Sequence, residues 1–311
     1  MKKKVIVIVG PTAVGKTALS INLAKNVEGE IISGDSMQVY VGMDIGTAKV
    51  TPNEMESIPH HLIDIIKPNE PYTVAQFQSD VRQSINEIHT RGKIPIIVGG
   101  SGLYIESALY NFSFSEQKRD PAYTNKLEEI IAQDGIEPLY QRLKEIDPEQ
   151  ATRIHPNNHR KVIRALEIFE TTGKTMSERQ KEEKHEPLFD VLFIGLEMDR
   201  TLLYNRINQR VDHMIEQGLI DEVGTLMAQG FSSEKSMKAI GYKEILSYLE
   251  ADMTKEEAIQ LLKRNSRRFA KRQYTWFKNR LPVQWYDLSN GMDTHTFNNI
   301  LANTGGFLKD T

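Results

Sequence analysis

Residues 5–17 read Val5-Ile6-Val7-Ile8-Val9-Gly10-Pro11-Thr12-Ala13-Val14-Gly15-Lys16-Thr17, and this stretch decides the fold. Five β-branched residues in a row, with no polar alternation, suit a strand buried on both faces, as in a parallel sheet. Gly10 and Pro11 stop the strand. Apolar spacing turns helical from Lys16 to Asn26, and Glu30-Ile31-Ile32-Ser33, followed by Gly34-Asp35, supplies a second short strand. The result is a β-α-β unit.

Working outward, the same rhythm repeats. An amphipathic stretch from Thr73 to His89 leads into Ile94-Pro95-Ile96-Ile97-Val98 and Gly99-Gly100. From about Pro121 to His185 the texture becomes charged and helical, with segments Leu127 to Ala132, Pro138 to Ile146 and Lys161 to Thr172 and no buried strand among them. This predicts a helical insertion. Val191 to Leu196 returns to the sheet, Arg200 to Gln217 and Ala258 to Asn279 read as long helices, and Val283 to Leu288 as a last edge strand. The tail after Asn290 carries no readable pattern. The expected boundaries are an α/β core of residues 1–115 and 190–311, with an all-helical insertion over 116–189. At roughly 150 residues per domain, 311 residues agree with about two domains.

Composition excludes several classes. Lys plus Arg number 39 against 42 Asp plus Glu, a net charge of −3, so no overall excess advertises a nucleic-acid or membrane partner. Zero cysteines exclude a disulfide framework, a thiol nucleophile and cysteine-ligated zinc, and fit a reducing compartment. The cytoplasm is expected. Met1-Lys2-Lys3-Lys4 imitates the start of a signal peptide, but the apolar run behind it ends at Val9. No stretch approaches the ~20 residues of a membrane span. A soluble, unprocessed chain with no membrane partner is expected.

Gly10 to Thr17 match G-x-x-x-x-G-K-[ST] in the strand–loop–helix context that the motif requires. In such a loop, backbone N–H groups and the unpaired first-turn donors of the helix converge on phosphate oxygens. Lys16 adds a positive charge, and Thr17 places a hydroxyl where a phosphate-bound Mg²⁺ would sit. The loop recognises a diphosphate and not the group attached to it, so ATP is one candidate among several. The bland alternative is a glycine turn between strand and helix.

Asp35 closes the second strand in Ser33-Gly34-Asp35-Ser36-Met37-Gln38, and the carboxyl ends of parallel strands form the ligand crevice. It could act as a general base, hold a Mg²⁺-bound water, or merely cap a turn. The strand Ile94 to Val98 ends without the metal-holding carboxylate that often follows such a strand in triphosphate hydrolysis, which argues mildly against that chemistry. In Gly99-Gly100-Ser101-Gly102-Leu103-Tyr104, Ser101 could cap a helix or touch substrate.

Between Lys263 and Arg280 stand eight cations and no acid, interleaved with Phe269, Tyr274, Trp276 and Phe277. The cations could neutralise a nucleic-acid backbone and the aromatics anchor it; a solvated helix face is the alternative. A second basic site, His159-Arg160-Lys161 with Arg164, opens the longest helix of the insertion, and Arg160 and Arg164 are one turn apart. Arg206 and Arg210 repeat that spacing, and one of them could reach the diphosphate, unless both pair with neighbours such as Asp212 or Glu216. His60-His61 lack a metal-site pattern and read as structural.

Taken together, GPTAVGKT (Gly10 to Thr17), DSMQVY (Asp35 to Tyr40), MDIGTAK (Met43 to Lys49), GGSGLY (Gly99 to Tyr104) and Ala270-Lys271-Arg272-Gln273 with Thr275-Trp276 resemble the tRNA dimethylallyltransferase family. The resemblance runs from residue 5 to about 287. It implies a P-loop NTPase-like parallel sheet flanked by helices, with the helical insertion contacting a tRNA anticodon stem-loop. It implies transfer of a dimethylallyl group from dimethylallyl diphosphate, with Mg²⁺, to N6 of adenosine 37 in tRNAs that read codons beginning with U. Carried over by position, Gly10, Pro11, Thr12, Ala13, Val14, Gly15, Lys16 and Thr17 would hold the diphosphate, and Thr17 the metal. Asp35, Thr17 and Arg210 would be catalytic, with Asp35 facing the adenine amine and Arg210 assisting the pyrophosphate. Asp35, Ser36, Met37, Gln38, Ser101, His159, Arg160 and Arg164 would contact tRNA. From Asn157 to Ala165 the chain departs from the family's usual pattern of an Asp and an Arg or Gln. A monomer is expected. The competing classes are an isopentenyltransferase acting on free adenylate, a small-molecule kinase using the loop for ATP, and a noncatalytic RNA-binding switch.

Overall fold

A computed structural model describes residues 2–112, 120–182 and 186–309. The chain divides into two compact units, residues 1–110 with 187–311, and residues 111–186. The expected insertion, 116–189, is displaced from the second unit by a few residues at each end. Within that unit the Asn111 N–H donates to the Glu186 carbonyl at 3.1 Å, so its two ends are joined where it begins and finishes.

The larger unit opens with β1 (Lys4–Val9), α1 (Lys16–Val27), β2 (Gly29–Gly34), the one-turn α2 (Pro52–Met55), β3 (His60–His61), α3 (Val74–Thr90), β4 (Ile94–Gly99) and α4 (Gly102–Leu109). The second unit contributes α5 (Pro121–Asp134), α6 (Glu137–Ile146), α7 (Pro148–Arg153), α8 (His159–Thr172) and α9 (Met176–Glu182). The chain then returns to the larger unit with β5 (Asp190–Glu197), α10 (Arg200–Glu216), α11 (Leu219–Ala228), α12 (Tyr242–Leu249), α13 (Lys255–Arg280), β6 (Gln284–Asp287) and α14 (Thr294–Lys309).

All six strands pair in parallel in the order β3-β2-β4-β1-β5-β6. This is the α/β parallel sheet the sequence predicts, and β6 is the expected edge strand. Period-two alternation sorts the apolar run. Ile6 and Ile8 join a core with Leu19 and Leu23 of α1 and Ile300 of α14, while the fully buried Val5, Val7 and Val9 face the other side. Thr73 caps α3 with a capping box to Gln76, which fixes the start of that helix.

Register sets the site. Val9 pairs with Gly99 and Gly195, and Gly34 with Gly99, so glycines line the carboxyl edge of the sheet. A Cβ on Gly99 would collide with the Gly34 backbone. Such crowding leaves glycine as the residue that fits.

A second core in the larger unit gathers Val211 and Met214 of α10, Val223 of α11, Tyr242 and Ile245 of α12 and Leu262 of α13 around Val39, Tyr40 and Met43. The second unit has its own apolar core, including Leu127, Leu139, Leu143, Val162 and Leu166. Among the described residues no helix is long and apolar enough to cross a membrane.

Candidate active site

The loop between β1 and α1 is bent by left-handed residues: Ala13 has φ 66° and Gly15 φ 108°, and Gly15 forms the N-cap of α1 with no side-chain cap. The first-turn N–H groups of this helix therefore have no side-chain acceptor at the N-cap, the arrangement that suits an anion. Lys16 folds under the loop, its Nζ donating to the carbonyls of Gly10 (3.0 Å) and Pro11 (2.8 Å). Burial, with help from the nearby Arg210 charge, lowers its pKa to about 7, against the opposing pull of Asp35.

Arg210 reaches the loop from α10, donating through a guanidinium nitrogen to Thr12 Oγ1 at 3.0 Å. Its i−4 neighbour Arg206 is exposed. The alternative that Asp212 and Glu216 neutralise these arginines does not hold, since Asp212 pairs with Lys263 and Glu216 with His213. The Thr12 N–H donates to Gln273 Oε1 at 2.9 Å, and Gln273 Nε2 donates to the Gly100 carbonyl at 3.2 Å.

Asp35 follows β2 at the same edge. Its Oδ1 accepts the Met37 N–H at 2.9 Å, so the turn-capping alternative describes one oxygen. Burial raises its pKa, opposed by the Met37 hydrogen bond and by the charges of Lys16 and Arg210. Ser101 stands at the N-cap of α4 without capping it. Its hydroxyl instead accepts the Ser36 N–H at 3.2 Å and donates to Ser36 Oγ at 3.3 Å. Gln38 accepts from Ser33 Oγ at 2.8 Å and donates at 3.4 Å to the Thr47 and Ala48 carbonyls, steadying the loop after β2.

Two cavities adjoin here. One, of about 110 Å³, is lined by Lys16, Thr17, Asp35, Gln38, Gly100 and Arg210 among others, and His60 also borders it. The other, of about 330 Å³, is more apolar, with Ile207, Val211, Met214, Ile240 and Leu262 beside Ser36, Met37 and Ser101. Thr12, Asp35, Thr47, Arg210 and Phe269 border both. A carboxylate thus sits on the wall shared by a cationic pocket and an apolar one. Among the described residues no three His, Asp or Glu side chains converge as a metal site.

The sequence profile of the IPP transferase family matches residues 38–280. The chain belongs to the IPP transferase family. The match begins after the phosphate loop and Asp35, so those residues are an observation independent of it. The chain is similar to the tRNA dimethylallyltransferase of Oceanobacillus iheyensis, 55% identical over 310 residues, covering 100% of this chain and 99% of that one. The full-length tRNA isopentenylpyrophosphate transferase of Bacillus halodurans is 47% identical with a TM-score of 0.76, over 100% of this chain and 98% of that one. A eukaryotic dimethylallyltransferase solved acting on tRNA is 34% identical with a TM-score of 0.86, over 99% of this chain and 80% of that one.

In this member of the family the remaining candidates fall elsewhere. His159, Arg160 and Arg164 open α8 in the second unit; His159 and Arg160 are exposed, whereas Arg164 contacts the buried Glu167 at 3.3 Å. The basic run on α13 is split. Lys263 pairs with Asp212 and Lys278 with Glu197. Arg267 donates to Asn208 at 2.6 Å, and Arg280 grips Glu106 through bonds of 2.9–3.1 Å. Arg264, Arg268, Lys271 and Arg272 are exposed and have no carboxylate partner among the described residues. Most of the interleaved aromatics are structural, which corrects the anchoring expectation. Phe277 is fully buried, Tyr274 hydrogen-bonds Glu197 and stacks edge-on against Trp285, and Trp276 packs so closely on Gly102 that a Cβ there would collide. Phe269 alone of the four reaches the cavities. Sequence reasoning assigned no role to Gln273, although it closes the Ala270-Lys271-Arg272-Gln273 stretch that carries part of the family resemblance; in the structure it holds the phosphate loop.

Proposed function

We propose that this chain transfers a dimethylallyl group from dimethylallyl diphosphate to N6 of adenosine 37, in the anticodon stem-loop of tRNAs that read codons beginning with U. The observation that carries the reading is Asp35 on the wall common to the cationic and apolar cavities, in a chain that matches a named tRNA dimethylallyltransferase over its whole length.

The chemistry follows from the geometry. The C1–O bond of the donor breaks and its electron pair leaves with pyrophosphate; the allylic carbon fragment spreads its positive charge, so neutralising the leaving group lowers the barrier most. The loop N–H groups, Lys16 and Arg210 supply that neutralisation. The N6 lone pair forms the new bond to C1. The amine proton passes to Asp35, whose raised pKa makes it a better base than an ordinary carboxylate. With Oδ1 occupied by the Met37 N–H, the other oxygen receives the proton. An unpaired loop base can leave its stack and enter a crevice far more cheaply than a paired one.

The oxygen donors on this cavity, Thr17 with Asp35 nearby, are of the kind that suits Mg²⁺. The Thr17 hydroxyl, together with phosphate oxygens and water, would hold the ion, which when bound supplies further charge neutralisation to the departing pyrophosphate. The reading implies a monomer working in the cytoplasm, with the exposed cations of α13, Arg160 and the exposed His159 as phosphate contacts.

The test compares acceptors. Purified protein with labelled dimethylallyl diphosphate and Mg²⁺ should label tRNA carrying adenosine at 37 and leave free AMP untouched. Label on AMP alone would move the chain to the free-nucleotide class, and label on neither would end the reading.

A further inference from the structure

The 26-residue α13 has two unlike faces. Arg264, Arg268, Lys271 and Arg272 fall at i, i+4, i+7 and i+8, one stripe on a helix with 3.6 residues per turn. Gln273 lies on the opposite side with Ala270 and Phe277 and is 5% exposed. A buried amide must have both of its ends satisfied. Here both are, by groups far away in sequence: the Thr12 N–H of the phosphate loop and the Gly100 carbonyl after β4. Gly100 has no room for a Cβ beside this amide.

Two further ties run from α13 to α10, Arg267 to Asn208 and Lys263 to Asp212. From α10, Arg210 returns to Thr12 Oγ1. Thr12 is therefore held from two sides, its N–H by α13 and its hydroxyl by α10, and α13 holds α10.

We propose that Gln273 is a positioning residue that couples the cationic face of α13 to the diphosphate loop, so that acceptor RNA and prenyl diphosphate bind with mutual reinforcement; this rests on the prenyl-transfer reading above. RNA phosphates on the stripe immobilise the helix, and through Gln273 they immobilise Thr12 and Gly100. A diphosphate that then enters the loop has less left to order and binds more tightly. Linkage makes the effect reciprocal: the diphosphate tightens RNA binding by the same factor. A glutamine that served only to satisfy its own buried amide would stabilise the fold without linking the two ligands.

The experiment uses the full chain and inorganic pyrophosphate as the probe, so that no transfer intervenes. Its dissociation constant is measured with and without saturating unmodified tRNA for the wild type, Q273M and Q273E. In the wild type, tRNA should tighten pyrophosphate at least about fivefold. Q273M fills the space but loses both hydrogen bonds; it should bind pyrophosphate roughly tenfold more weakly and show no tightening by tRNA, with tRNA affinity alone unchanged. Q273E keeps the shape and an acceptor for Thr12 but has no N–H for Gly100, and should also lose the coupling. A wild type without coupling, or variants that retain all of it, overturns the proposal. The same wild-type preparation is assayed for transfer to tRNA, so failure of the prenyl-transfer reading is seen separately, and would take the coupling proposal with it.

Discussion

Lys16, Asp35 and Arg210 perturb one another's charge in a crevice that burial has already made costly for ions. Lys16, with a pKa near 7, is mostly neutral at pH 8, whereas a diphosphate beside it would restore its ordinary preference for the proton. Binding must then take up protons. Calorimetry in buffers of different ionisation enthalpy should show uptake approaching one proton per site at pH 8, fading below pH 6 where the ammonium is already formed; no uptake at pH 8 would place Lys16 away from the diphosphate. The Asp35 shift has its own signature. A base must be ionised to work, so turnover should fall on the acid side with a midpoint above the usual carboxylate range, and Asp35→Asn should cost about 10²–10⁴-fold in kcat. Arg210 and Arg206 offer a matched contrast, since one bonds Thr12 and the other is exposed.

Helix α13 shows why a charge run cannot be read as a unit. Its eight cations look alike in sequence, but Arg280 holds the Glu106 carboxylate, which is 1% exposed, while Arg268 faces water. Arg280→Ala removes the bidentate partner of a buried carboxylate and should cost about 3 kcal/mol in urea unfolding. Arg268→Ala should leave stability nearly unchanged but weaken tRNA binding and reduce its salt slope by about 1. Swapped outcomes would reverse the two assignments. The hydrogen-bonding or ion-pair partners that set Arg280 and Arg267 apart lie on other elements, Glu106 on α4 and Asn208 on α10, and nothing within the run announces them. The role of Gln273 was unreadable for the same reason: its contacts lie 261 and 173 residues away. By contrast β1, the phosphate loop and α1 were readable, because β-branched burial, glycine turn geometry and the helix N-terminus are all set within one short stretch. The two-residue β3 and the helix α14, whose Gly305-Gly306 blurs the periodicity, gave no such local signal.

At the scale of the whole chain, an inserted unit interrupts a parallel sheet, and the change of sequence texture located it to within a few residues. That unit has a separate apolar core and joined ends. A fragment of residues 111–186 should therefore be helical by circular dichroism and melt cooperatively, whereas a random-coil spectrum would deny it independent stability. The larger unit carries the phosphate loop, Asp35, Arg210 and Gln273 together. The central claim is that this cradle withdraws pyrophosphate from a prenyl donor. Its most direct test offers the protein dimethylallyl diphosphate, ATP, Mg²⁺ and unmodified tRNA at once, and follows both the anticodon fragment by mass and the phosphate released. One five-carbon unit on the fragment bearing adenosine 37, matched by one pyrophosphate and no loss of ATP, is the predicted result; unchanged RNA with phosphate released from ATP would contradict it.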